Sequence, residues 1–234
     1  MDYQKALDKY LVDQVSIYPP FFSPLWIKTT NFEPKVYAEK IFYYENIIYH
    51  PDQVILALEN SDPNTTDSDA IQQWNPWEHT SEVLLPSGEI ESQTAYVLGE
   101  VKTTNAKKYL TSSSEGQFAF GQIKNALTFT TDHYTNTLEL GPAKMSPIMI
   151  CKYYVGSEQG QHVDTYKGES YLSAVLYLND NYDGGELHFP NQGVTIKPSA
   201  GSVVVFPSGE PFSHEATKVI KEEKYIATAF LVKD

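Results

Sequence analysis

The residues of this chain whose types and spacing suggest chemistry lie in its last third: His162-Val163-Asp164, then His214, then Lys224. Side chains alternate along an extended chain, so residues two apart point the same way, and His162 and Asp164 can share one metal ion. With 6 histidines in the chain, a His-x-Asp pair arises easily by chance and is a weak signal alone. His214 adds a second imidazole, on an expected strand just past the Pro207-Ser208-Gly209 turn. Two imidazoles and one carboxylate on one face of an octahedral ion leave three positions open, the arrangement of mononuclear non-haem iron sites, with zinc the alternative metal. A chelating 2-oxo acid would fill two of those positions and leave one for dioxygen. The far carboxylate of such an acid needs a cation. Lys224, opening the run 224–230, is the candidate, and Lys218 and Lys221 compete with it on position. His188 reads as a strand residue beside the Gly184-Gly185 turn, and His50, His79 and His133 fall outside the constellation.

Side chains this far apart in sequence need a frame that brings them together. Past Pro142 the chain is a series of short apolar runs, 145–154, 171–179, 186–189, 194–197, 202–206, 211–216 and 225–232, punctuated by Gly, Pro and Asn turns. Many short strands with such turns predict an antiparallel sandwich, and this number of strands predicts a jelly roll. The fold class expected is mainly β with flanking helices (α+β), on a double-stranded β-helix core. Upstream, residues 2–14 space Leu7, Tyr10 and Leu11 helically, 35–44 reads as one strand, and Pro51 opens a helix through Leu58. Residues 61–94, rich in Asp, Asn, Ser, Thr and Pro around Trp74 and Trp77, read as a long loop and a candidate lid. Phe118, Phe120, Ile123, Leu127 and Phe129 mark an apolar stripe on a helix over 115–138 that should support the sheet. A single domain over 1–234 is expected, with 1–114 as elaboration, 115–140 as the supporting helix region and 145–234 as the core.

Composition narrows the setting. At 41% hydrophobic and 13% aromatic, the 234 residues can bury a sizeable core and do not read as disordered. The formal charge is -13 and every one of the 17 basic residues is a lysine, which argues against binding a nucleic-acid backbone. Without arginine, a buried carboxylate ligand must be met by lysine, hydroxyls or backbone amides. Cys151 alone permits no internal disulfide and reads as a small core residue on a strand. The first residues lack a signal pattern and no apolar run is long enough to span a bilayer, so a cytoplasmic protein with no membrane partner is expected.

Taken together, residues 149–230 resemble the catalytic core of the prolyl 4-hydroxylase-like branch of the 2-oxoglutarate and Fe(II)-dependent oxygenases. The matching residues run in order: Tyr153 and Gly156, His162-Val163-Asp164, Tyr177-Leu178-Asn179-Asp180, Gly184-Gly185-Glu186-Leu187-His188-Phe189-Pro190, Pro198, Gly201, Phe206-Pro207, His214, Val219 and Lys224-Tyr225. Nothing before about residue 115 contributes to the resemblance.

The resemblance implies that His162, Asp164 and His214 bind Fe(II), that Lys224 pairs with the distal carboxylate of 2-oxoglutarate, and that the Tyr153 hydroxyl assists it. It implies a dioxygenase that uses dioxygen, hydroxylates a prolyl or other amino-acid or peptide substrate, and oxidatively decarboxylates 2-oxoglutarate to succinate and CO2, with ascorbate as a reductant. Three positions depart from the family pattern: Gln159 stands where Tyr is frequent, Leu187 where Thr is, and Glu222 where Gly is. They bear on pocket lining and hence on the prime substrate, not on the ligands. The reading from another class is a non-catalytic jelly-roll module that retains the metal-site residues.

Overall fold

The computed structural model describes residues 33–60, 74–84, 90–103, 114–165 and 170–233. The helix expected over 2–14 lies outside them. In chain order the elements are β1 (Lys35–Ala38), β2 (Ile41–Tyr44), α1 (Pro51–Asn60), β3 (Asn75–Leu84), β4 (Ile90–Thr103), α2 (Ser114–Thr137), β5 (Ala143–Met145), β6 (Met149–Tyr153), β7 (Gln159–His162), β8 (Ser170–Tyr177), β9 (Asp183–Gly184), β10 (Leu187–Phe189), β11 (Val194–Ile196), β12 (Ser202–Pro207), β13 (His214–Ala216), β14 (Val219–Lys221) and β15 (Lys224–Lys233).

Among the described residues the strands form a large sheet in the order β1-β2-β12-β8-β15-β6-β4-β3, with β5 also on β15, a smaller sheet in the order β11-β10-β13-β7, and the pair β14-β9. This is the expected mainly β architecture with flanking helices and a jelly-roll core. Alternation along the central strands builds two cores. Leu172, Ala174 and Leu176 of β8, Val203 and Val205 of β12, and Ala227, Ala229 and Leu231 of β15 face the helices, together with Ile123 and Leu127 of α2. The residues between them, Val175, Tyr177, Val204, Phe206 and Ile226, face the small sheet and join Leu187, Phe189 and Ile196 there. Cys151 is buried in this second core as a free thiol, the packing role its sequence context suggested.

The long helix forms as its stripe predicts, one residue displaced at each end. Ala119, Ile123, Ala126, Leu127, Thr130 and Tyr134 recur at helical spacing and are buried, so this face packs on β8 and β12. The Thr130 and Thr131 hydroxyls donate to the carbonyls of Ala126 at 2.9 Å and Leu127 at 2.8 Å, which satisfies polar groups inside the apolar stripe. Pro51 opens α1 and Asp52 lies in its first turn, where the helix dipole favours a negative charge. No helix among the described residues is long and apolar enough to cross a membrane.

Two expectations are corrected. Residues 35–44 form not one strand but the hairpin β1–β2, with Lys35 opposite Tyr43. β2 is buried on both faces, Ile41 and Tyr43 in one core and Phe42 and Tyr44 in the other, so it carries no alternation of polarity to mark its limits. The loop expected over 61–94 is, from 75 onward, largely strand: β3 pairs with β4, and β4 extends the large sheet by pairing with β6. The polar composition suggested a loop, but Thr80, Val83, Thr94, Val97 and Val101 are β-branched, and the β3–β4 ladder, anchored on β6 through residues 99–103, makes this stretch strand. Gly99 is required in that ladder, because a Cβ there would collide with the Lys152 carbonyl.

Candidate metal centre and co-substrate pocket

His162 ends β7 and His214 begins β13, and the two are direct cross-strand partners in the small sheet. Neighbours in an antiparallel pair project to the same face, so the ladder itself brings the imidazoles together, with ring centroids 4.5 Å apart. Asp164 lies one bend beyond the end of β7, so strand alternation does not place it, contrary to the reasoning from spacing. Its backbone N–H instead donates to the Ser208 carbonyl at 2.8 Å, and Thr165 donates to the same oxygen at 3.2 Å. The turn after β12 thus folds the Asp164 carboxylate back over the histidines. Its two oxygens lie 3.4 Å from His162 Nε2 and 3.5 Å from His214 Nε2.

The orientation of each ring is fixed from behind. His162 Nδ1 lies 2.7 Å from the Gly160 carbonyl and His214 Nδ1 lies 3.1 Å from the Phe212 carbonyl. A carbonyl only accepts, so both Nδ1 atoms carry a proton, and Nε2 is the nitrogen on each ring that faces the shared centre and whose deprotonation frees a lone pair there, as metal ligation requires. Phe189 and Phe206 wall His214 with centroids at 5.5 and 4.7 Å. Burial lowers the pKa of His214, and this outweighs the attraction of Asp164. At His162 burial also pulls downward, but the bonds to Asp164 and Gly160 prevail and the net shift is up. Burial pushes Asp164 up, yet hydrogen bonds from His162 and Ser173 and the nearby His214 hold it below the usual carboxylate value. The carboxylate is therefore kept ionised in a largely buried place.

Deeper in the same core lies Lys224. It is 1% exposed, and its ammonium donates to the Gly185 carbonyl at 2.7 Å. Three tyrosine rings surround it, with centroids 4.8 Å (Tyr153), 5.4 Å (Tyr177) and 5.7 Å (Tyr182) from Nζ. Among the described residues no carboxylate is ion-paired with it, and burial pulls its pKa down to about 7. Gly185 has φ +67° and a Cβ there would press on the Lys224 side chain at 3.1 Å, so the Gly184-Gly185 turn makes room for the lysine. Lys218 and Lys221, the competitors on sequence position, are exposed.

Residues 148–232 match the family model of the 2OG-Fe(II) oxygenase superfamily. The match spans 85 of the 234 residues, the strand-rich part of the chain that holds the triad and Lys224. Among curated proteins none matches the chain by sequence. Solved structures that resemble it include a prolyl hydroxylase from Trichoplax adhaerens in complex with a peptide fragment of the hypoxia inducible factor oxygen degradation domain. That structure is 15% identical, with a TM-score of 0.58 over 83% of this chain and 84% of that one. A Pseudomonas putida prolyl-4-hydroxylase is 21% identical, with a TM-score of 0.55 over 83% and 93%. The viral collagen prolyl hydroxylase of Paramecium Bursaria Chlorella virus-1, in complex with 2OG, is 13% identical, with a TM-score of 0.53 over 84% and 97%. At these identities the likeness is one of fold.

The matched family implies Fe(II) and 2-oxoglutarate, and the donors of this chain are compatible with both. His162, Asp164 and His214 offer ligand atoms that all lie within 4.8 Å of one another, two nitrogens and one oxygen, the set of the non-haem iron facial triad. For the co-substrate, the buried ammonium without a carboxylate partner is the corresponding observation. Tyr153, at the position the resemblance singled out, donates its hydroxyl to Gln159 Oε1 at 3.1 Å, so its proton is engaged by the residue that departs from the family pattern. His188 stays outside the triad, on β10 with Nδ1 2.8 Å from the Thr195 hydroxyl, and His133 contacts the Tyr44 hydroxyl at 3.2 Å.

Three residues near the site were given no role from the sequence. Ser173 bonds the Asp164 carboxylate and lies 2.8 Å from the Ser208 hydroxyl, while Ser208 holds the Asp164 backbone. Tyr177 flanks Lys224 from β8, and burial keeps its phenol protonated. A serine on the same face of β8 as Val175 and Tyr177, inside a largely apolar run, was the available signal for Ser173. Nothing local distinguishes Ser208 from any turn serine.

Proposed function

We propose that the protein is an Fe(II)- and 2-oxoglutarate-dependent dioxygenase that hydroxylates a prolyl or other amino-acid side chain, presented free or in a peptide. The observation that carries the reading is the pairing of His162 with His214 across one ladder, with the Asp164 carboxylate between them and Lys224 buried behind, no carboxylate among the described residues being ion-paired with it. In this reading His162, Asp164 and His214 hold the metal, Lys224 anchors the distal carboxylate of 2-oxoglutarate, and the Tyr153 ring helps to enclose it. The whole chain, 1–234, acts as one oxygenase domain, in which 1–114 elaborates the core 145–234 and the helix region 115–140 supports it.

When bound, the iron supplies dioxygen activation coupled to oxidative decarboxylation of 2-oxoglutarate to succinate and CO2, with ascorbate keeping it reduced. The protein's own part is geometric and electrostatic. The Gly160 and Phe212 carbonyls fix the imidazole tautomers, and Ser173 and Ser208 hold the carboxylate. The phenols of Tyr153 and Tyr177 stay protonated through burial, so a carboxylate entering beside Lys224 meets an ammonium and neutral phenols rather than competing anions.

The peptide-bound prolyl hydroxylase is the relative that favours a peptidyl substrate, and the departures at Gln159 and Leu187 are the positions that would alter its choice. The test is anaerobic loading with Fe(II) and 2-oxoglutarate, followed by oxygen and proline-containing peptides. Succinate should form, with a gain of 16 mass units (about one oxygen atom) on the accepted peptide. Stoichiometric metal binding with no succinate, coupled or uncoupled, would instead support the non-catalytic module.

A further inference from the structure

On the outside of the fold, a groove of about 870 Å³ opens between α1 and the loops that follow β8 and β14. Ile55, Val155, Leu178 and Tyr225 give it an apolar wall, and Asp52, Asp180, Glu222 and Glu223 also line it, with no basic residue among them. Some of this charge is already used. Glu223 lies 3.4 Å from the Lys152 ammonium and accepts from the Tyr225 hydroxyl at 3.0 Å, and Asp180 accepts the Ala200 N–H at 3.0 Å. Asp52 and Glu222 are exposed, and the Gln53 side chain donates to Asp52 at 3.0 Å. Val155 is 52% exposed, an aliphatic side chain left in water at the rim.

The chain's own Lys152 shows what this surface holds. Its ammonium sits beside the groove between Glu59 at 3.3 Å and Glu223, and over the rings of Trp74, Tyr154 and Tyr225 at 5.6, 5.7 and 5.3 Å. A further cation beside Asp52 and Glu222 would meet the same carboxylate chemistry. A second copy of this chain brings a formal charge of -13, and a nucleic acid brings phosphates, so both are repelled by the lining. We propose that this groove docks a peptide segment of a partner protein that carries a lysine or arginine next to an aliphatic side chain. The aliphatic group covers the exposed Val155 and the half-buried Ile55, with the buried Leu178 as the floor beneath them, and the cation pairs with Asp52 and Glu222. The inference does not depend on the oxygenase reading, because none of these residues belongs to the metal centre or the Lys224 pocket.

The test uses the full chain without added metal, and fluorescence anisotropy of two labelled peptides of equal length, one alternating Lys and Leu, the other alternating Glu and Leu. The Lys-Leu peptide should bind and the Glu-Leu peptide should not. The double variant Asp52→Asn, Glu222→Gln, which keeps shape and removes charge, should weaken binding about tenfold, and Val155→Ser about threefold. Retention of wild-type affinity in the double variant, equal binding of the two peptides, or no binding of the Lys-Leu peptide would overturn the proposal. So would a dimer in sedimentation that the double variant dissociates, since it gives the groove to a second copy.

Discussion

The two faces of the large sheet are built from the same strands by the same alternation, yet they do different work. On the helix side β15 presents Ala227, Ala229 and Leu231, and β8 presents Leu172, Ala174 and Leu176, against α2. One residue over, the same strands present Lys224 and Ile226, and Ser173, Val175 and Tyr177, toward the small sheet. The first face has apolar groups whose partners are interchangeable. The second sets an ammonium, protonated phenols and a hydroxyl among apolar residues, at a cost in desolvation that packing alone does not justify. A polar group held at that cost is the physical mark of a site, and it separates the face that stabilises from the face that acts.

Substitution should separate the two faces by what each measurement reads. On the acting face the largest effect is expected from His214→Ala, which removes one of three ligand atoms: metal-dependent succinate formation should fall to background and Fe(II) stoichiometry toward zero. Secondary structure should stay unchanged by circular dichroism. Metal content equal to wild type would break the assignment of this face. On the stabilising face Ile123, fully buried against the sheet, is the counterpart. Ile123→Ala should cost about 2–5 kcal/mol in denaturant unfolding. Below its melting temperature it should leave metal stoichiometry and the KM for 2-oxoglutarate where they were. A large change in KM would show that the two faces are coupled rather than separable.

How much of this was legible in the sequence follows the same division. Period-2 runs and a helical stripe are properties of neighbouring residues, so α2, β8, β12 and β15 could be read directly. β2, buried on both faces, and the polar β3–β4 hairpin could not, because the ladder that makes them strands is formed with distant partners. The three ligand candidates and Lys224 were legible by type and by resemblance. The device that delivers Asp164 was not: its position depends on a backbone bond to Ser208, whose hydroxyl in turn meets Ser173, and nothing local in the sequence encodes that contact.

Lys224 sharpens the comparison because it should read oppositely in stability and function. Replacing a buried ammonium that no described carboxylate neutralises by an apolar side chain of similar length removes a desolvation penalty larger than the one bond to the Gly185 carbonyl returns. Lys224→Met should therefore raise the stability of the ligand-free protein by about 1–4 kcal/mol in urea unfolding. The same change should raise the KM for 2-oxoglutarate about 100-fold, the loss of one buried charge-assisted contact. A variant that is less stable and binds the co-substrate normally would return Lys224 to the packing face.

The smallest expected effect is graded rather than all-or-none, and it comes from the same lysine. Burial lowers its pKa from 10.5 to about 7, so in the folded, ligand-free protein the ammonium loses its proton as pH rises through neutrality, while the unfolded chain keeps it up to about 10.5. Between those values the unfolded state binds more protons, so this group makes stability increase with pH across that window and contributes no slope below it. Binding of the diacid has the opposite dependence. The distal carboxylate needs the charged form, so above pH 7 binding must take up a proton, and the Kd of N-oxalylglycine should rise about tenfold per pH unit. Below pH 7 the dependence should flatten. Calorimetric titrations at pH 6.5, 7.5 and 8.5 (about one unit apart) in two buffers of different ionisation enthalpy would report the proton taken up. In Lys224→Met the proton uptake assigned to this residue should vanish, and any slope that persists there must be charged to the metal ligands instead.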